Sequence, residues 1–136
     1  MVRVIMGVKG TGKTKQMIAL INSAVNTENG NVVCIERGSK LTYDVNSKIR
    51  LVESDAYDFT NYDMFKGFVS GLYAANFDTT HIFIDSLTKI VKGDVCVETA
   101  NFLNWLDTFG EKNGIKFTVT ISADVSLATE GIAKYM

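Results

Sequence analysis

The sequence predicts one α/β domain over residues 1–136, three layers deep, with helices flanking a mainly parallel sheet of four to five strands. Two observations lead to that class. Short apolar runs alternate with segments of helical periodicity, the pattern of parallel strands joined by helical crossovers. The first crossover opens with a glycine-rich octapeptide, Gly7-Val8-Lys9-Gly10-Thr11-Gly12-Lys13-Thr14, set between a strand run and a helix run.

Residues 2–6 are short, mostly apolar and stopped by Gly7, as a buried strand is. From Lys13 to about Asn26, Met17, Ile18, Leu20, Ile21, Ala24 and Val25 recur at helical spacing, and Asn29-Gly30 ends the unit. Residues 31–36 form the next strand, apolar until its closing carboxylate, Glu36. Residues 41–52 support two readings. One is a hairpin turning at Asn46-Ser47, the other a single further strand over residues 49–53. Glu53, Asp55 and Asp58 alternate with Tyr57 and Phe59, which reads as a solvated loop anchored by its rings.

Residues 61–76 are predicted helical, with Met64, Phe65, Phe68, Val69, Leu72 and Tyr73 in one stripe and Thr60 or Asn61 as the cap. Residues 81–85 make the third strand, apolar and ending at Asp85. Residues 86–94 are expected to form a mobile flap over the site. Residues 98–112 are a strong helix with Phe102, Leu103, Leu106 and Phe109 facing inward, ended by Asn113-Gly114. Residues 115–121 are the fourth strand, and residues 125–135 close the chain as a short helix.

The octapeptide fits G-x-x-x-x-G-K-[ST] without mismatch, in the strand–loop–helix context that a phosphate-binding loop needs. Glycines allow successive N–H groups to point inward at phosphate oxygens, and the helix start adds its positive dipole end. Gly7, Val8, Lys9, Gly10, Thr11, Gly12, Lys13, Thr14 and Lys15 are therefore the expected nucleotide-binding residues. Lys13 is placed at the β- and γ-phosphates and the Thr14 hydroxyl at Mg²⁺, with ATP as the nucleotide.

Composition narrows the alternatives. A net charge of -1 carries no basic excess that would point to nucleic acid. With a single histidine, His81, and two cysteines, Cys34 and Cys96, without C-x-x-C spacing, no histidine- or cysteine-based metal site is expected. No apolar run approaches the length that spans a bilayer, so no membrane is expected as a partner and the cytoplasm is the expected location.

Ile84-Asp85-Ser86-Leu87-Thr88 resembles the I-D-S-x-T form of the Walker B run in RecA-like and KaiC-like ATPases. Val33-Cys34-Ile35-Glu36 resembles their next strand, which ends in the carboxylate that primes the attacking water. The whole chain also resembles small bacterial P-loop proteins of unassigned role. The resemblance implies a small RecA/KaiC-like P-loop NTPase in which Asp85 joins Thr14 at Mg²⁺. It further implies Lys13 and Glu36 as catalytic residues and Ser122 as a γ-phosphate sensor. Each has an alternative on the residues alone: Asp85 as a strand-end cap, Glu36 as a surface residue, Ser122 as a turn serine. Ser86 stands where many P-loop ATPases carry a glutamate, so a base must come from elsewhere.

The reading is Mg²⁺-dependent ATP binding with slow hydrolysis. One alternative is a small nucleoside or nucleotide kinase, since the loop and Met17 to Ile21 are similar to thymidine-kinase-type sequences. The chain lacks the four cysteines of their zinc module. The other is a non-hydrolysing, ATP-gated protein-interaction module, with residues 86–94 or 53–60 as the displayed surface. The expected partners are the nucleotide and either further copies of the chain or an unknown protein. Arg37 or Arg50 is a candidate finger if a neighbouring subunit presents it.

Overall fold

A computed structural model describes residues 1–41 and 44–136. In chain order the elements are β1 (Val2–Gly7), α1 (Lys13–Thr27), β2 (Asn31–Glu36), β3 (Arg50–Glu53), α2 (Tyr62–Ala75), β4 (Thr79–Ile84), α3 (Leu87–Ile90), α4 (Val97–Asn113), β5 (Lys116–Ser122) and α5 (Glu130–Ala133). The sheet runs β1-β5-β4-β2-β3, and every neighbouring pair is parallel. The fold is the predicted α/β class, with all five strands parallel.

The strands read as apolar runs because both faces of the sheet are covered. On one face Val33, Ile35, Ile82, Ile84, Val119 and Ile121 pack with Phe65 and Val69 of α2 and Phe102, Leu103 and Leu106 of α4. On the other, Val32, Cys34 and Phe83 pack with Met17, Ile21 and Ala24 of α1, joined by Leu41 and Ile49. Alternate residues of one strand thus serve opposite cores.

Helix ends follow their local chemistry. Asn61 caps α2 by accepting the Met64 N–H at 2.8 Å. Gly114, at φ 70°, closes α4 in the left-handed conformation.

Three expectations need correction. Residues 86–94 are not a free flap, because Leu87, Ile90 and Val91 are buried and anchor α3 in the main core. The hairpin gives way to the single-strand alternative: β3 pairs parallel with β2, from Val33 opposite Arg50 to Glu36 opposite Glu53. Part of the first hairpin arm, residues 42 and 43, lies outside the described residues. The closing helix is two short pieces, a 3-10 turn at Val125–Leu127 and then α5. The acidic loop matches its reading, since Phe59 is buried and Tyr57 lies 5.2 Å from Phe68, ring to ring.

A polar cluster sits near the amino ends of β4 and β5, away from the strand ends that carry the motif residues. The Lys116 ammonium is 2.8 Å from the Glu28 carboxylate, and His81 Nδ1 is 3.8 Å from the same oxygen. His81 Nε2 bonds the Thr118 hydroxyl at 2.9 Å, and its ring stacks on Phe83. Burial pushes the imidazole down to about 4, despite the pull of Glu28. The folded protein therefore binds fewer protons than the unfolded chain between pH 6.5 and about 4, and stability falls as pH drops through that window. Urea unfolding of the wild type should show this loss, and His81→Asn, which takes up no proton, should flatten it. An unchanged slope in the variant would assign the loss to other groups.

Candidate functional site

The site grows from the carboxyl ends of the strands. In the sheet register Gly7 lies opposite Ser122, Val119 opposite Ile84, Ile84 opposite Ile35, and Glu36 opposite Glu53. The glycine loop, Ser122, Asp85 and Glu36 consequently stand along one rim, the edge where parallel α/β sheets gather ligands.

The loop leaves β1 and enters α1 through Gly12, which is left-handed at φ 83°, as is Gly10 at φ 89°. A side chain at either position would be strained. No side chain caps α1, and no acidic residue lies in its first turn. Its first N–H groups therefore open onto the loop without an internal acceptor. Lys13 is only 9% exposed. Its Nζ reaches back to donate to the Val8 carbonyl at 2.9 Å and to Thr11 Oγ1 at 3.5 Å. Burial lowers its pKa; Asp85 opposes the shift and Lys89 adds to it.

Lys9, Gly10, Gly12, Lys13, Thr14, Lys15, Asp85 and Ser122 line one cavity of about 620 Å³. That volume suits a nucleotide-sized ligand. Gly7, Val8 and Thr11 frame the loop, the Thr11 hydroxyl donating to the Val8 carbonyl at 2.8 Å. Thr14 and Asp85 bring a hydroxyl and a carboxylate to the same cavity. Among the described residues no group of three or more His, Cys, Asp or Glu side chains stands ready to hold a metal. A sparse oxygen donor set of this kind suits Mg²⁺ shared with phosphate oxygens, because Mg²⁺ keeps most of its shell from water and phosphate.

Glu36 lies elsewhere. It lines an adjoining cavity of about 310 Å³ together with Arg37, Lys40, Asp85 and Lys89. It is not the exposed strand-end residue of the alternative reading, being 3% exposed. Its two oxygens accept the Lys40 N–H at 2.9 Å and the Leu41 N–H at 3.0 Å, which braces the turn after β2. Burial raises its pKa, the two N–H groups resist, and the charges of Asp85 and Glu53 add to the rise. Each oxygen keeps lone-pair capacity beyond the bond it accepts.

Sequence reasoning passed over Thr120, Lys40 and Lys89. Thr120 is fully buried on β5, the strand between β1 and β4. Its hydroxyl donates to Asp85 Oδ1 at 2.7 Å and accepts the Ser86 N–H at 2.7 Å. The alternation that sends Phe117, Val119 and Ile121 to one core sets Thr118 and Thr120 on the other face, a signal present in the sequence. Lys40 and Lys89 carried none, because only the folded chain brings them to the rim. Cys34 is a core residue whose thiol is pushed up by burial, as suits an inert cysteine.

No protein-family model matches the chain, and no curated protein matches it in sequence. Its fold is shared with solved structures. The flagellar accessory protein FlaH from Methanocaldococcus jannaschii superposes with a TM-score of 0.63 at 10% identity, covering 98% of this chain and 65% of that one. The KaiC-like protein PH0186 from Pyrococcus horikoshii OT3 gives 0.67 at 21% identity, covering 98% and 66%. The architecture is thus a RecA/KaiC-like P-loop fold. At these identities the likeness is one of fold, and the chain spans just under two thirds of the length of each neighbour.

Thr120→Val should cost about 1–3 kcal/mol in urea unfolding, since it removes a donor to Asp85 and leaves the Ser86 N–H without its acceptor. Thr120→Ser should recover most of that loss. Equal stability of Thr120→Val and wild type would mean that Asp85 and Ser86 find other partners.

Proposed function

We propose that the chain binds ATP with Mg²⁺ at this rim and hydrolyses it slowly. The observation that carries the reading is the uncapped start of α1 behind a loop with two left-handed glycines, with Lys13 folded inside it. These are positive groups facing one loop, and none of them is neutralised by an acidic side chain of the first turn. Lys13 would hold the β- and γ-phosphates, exchanging its carbonyl contact for contacts to anionic oxygens. Thr14 and Asp85 would hold the Mg²⁺, which when bound screens the phosphate charge. Ser122, opposite Gly7, would contact the γ-phosphate side of the cavity.

Hydrolysis on this reading is in-line attack of water on the γ-phosphorus, breaking its bond to the β–γ bridging oxygen. Glu36 orients the water and receives its proton, a task that its raised pKa favours. Lys13 offsets charge developing on the phosphate oxygens. Among the described residues no arginine lines the larger cavity, and Arg37 is paired with Asp55 at 3.4 Å. Without an arginine finger, turnover is slower by about 10³–10⁵. A second copy of the chain or another protein is the natural source of one.

A small kinase is the second reading, favoured by one observation. The adjoining cavity of about 310 Å³ leaves room for an acceptor beside Asp85 and Lys89.

Glu36→Gln tests the assignment. The change removes the charge and turns one of the two acceptor oxygens into a donor facing a backbone N–H. Single-turnover phosphate release should fall about 10²-fold or more, with ATP binding retained. Unchanged release would leave bracing as the whole role of Glu36. Release that needs an added nucleoside would favour the kinase, and ATP binding without any release would favour the nucleotide-gated module.

A further inference from the structure

None of the lysines lining the larger cavity, Lys9, Lys13, Lys15, Lys40 and Lys89, forms an ion pair among the described residues. Lys40 and Lys89 both line the larger cavity and the adjoining one, so they stand with Asp85 and Ser86 on the wall that the two cavities share. The larger cavity holds the glycine loop, and the smaller holds Glu36. The shared wall is therefore where the terminal phosphate of a nucleotide lying on the loop would meet the nucleophile.

Each lysine is carried by braced backbone. The chain leaves β4 at Asp85 and reverses through Ser86, which is left-handed at φ 59° and ψ 61°. That conformation is unfavourable for a serine, and here the Thr120 hydroxyl holds the Ser86 N–H at 2.7 Å. One helical turn follows, anchored by the buried Leu87 and Ile90, with Lys89 on its exposed side between them. Lys40 sits in the turn after β2, where both Glu36 oxygens take backbone N–H groups and Leu41 is buried behind. Two separate loops thus converge on one place, each with its cation free. The charge of Lys89 is felt at Lys13.

We propose that Lys40 and Lys89 form an in-chain clamp on the terminal phosphate, so that the site distinguishes a nucleoside triphosphate from a diphosphate without a partner's residue. The proposal rests on the nucleotide-binding reading. Lys13, by contrast, belongs to the loop and serves both nucleotides.

The test is the affinity of the full chain for ATP and for ADP, both with Mg²⁺, in wild type, Lys40→Ala, Lys89→Ala and Lys89→Arg. ATP affinity should fall about tenfold in each alanine variant, the size of one charge-assisted contact, while ADP affinity changes less than about twofold. Lys89→Arg keeps the charge and should retain most of the ATP preference. Circular dichroism of these exposed-residue variants should match wild type. Equal losses for ATP and ADP, or no loss for either, would overturn the clamp while leaving nucleotide binding in place. Failure of the wild type to bind either nucleotide would overturn both readings.

Discussion

Five parallel strands leave all their carboxyl ends on one edge, and this constraint governs the rest of the molecule. A parallel strand can be followed only by a crossover that returns to the opposite edge, so each strand ends in a loop on the same rim. Gly7, Glu36, Asp85 and Ser122 stand at or just beyond four such ends. Their gathering into one region follows from topology before any side chain contributes. The two hydrophobic cores, one on each face, hold the strands in register and so fix the spacing of the rim.

Within that frame the polar contacts divide the work. Thr120 ties β5 to Asp85 and to the strained Ser86, joining the strand beside the glycine loop to the strand that carries the carboxylate. Glu36 uses both oxygens on the turn after β2, so its burial is matched by hydrogen bonds. Lys13 is buried but keeps two contacts inside the loop. The rim carries both carboxylates and ammonium groups on the walls of its two adjoining cavities. At the opposite edge, Glu28 and Lys116 pair their charges beside the buried imidazole of His81.

Much of this was legible in the sequence because it is local. The octapeptide names its own loop, since the glycine spacing dictates left-handed backbone at Gly10 and Gly12. Apolar runs and helical periodicity gave α1, α2 and α4 nearly to the residue, and Asp85 and Glu36 were visible as carboxylates closing apolar strands. The strand order was not legible, because nothing in β5 itself says that it inserts between β1 and β4. Thr120 was hidden for that reason: its role exists only once β5 lies beside Asp85. Residues 86–94 are too short and mixed in the sequence to show a core-facing side, yet the fold buries Leu87, Ile90 and Val91. Lys40 and Lys89 are ordinary surface lysines until two distant loops meet.

The central claim is that the loop around Lys13 is a nucleotide-phosphate site. Calorimetric titration of the wild type and of Lys13→Ala with Mg²⁺-ATP tests it most directly. The account predicts one ATP bound per chain by the wild type and little or no binding by the variant, with the folded circular dichroism spectrum preserved in both. Equal ATP affinity in the two proteins would contradict it.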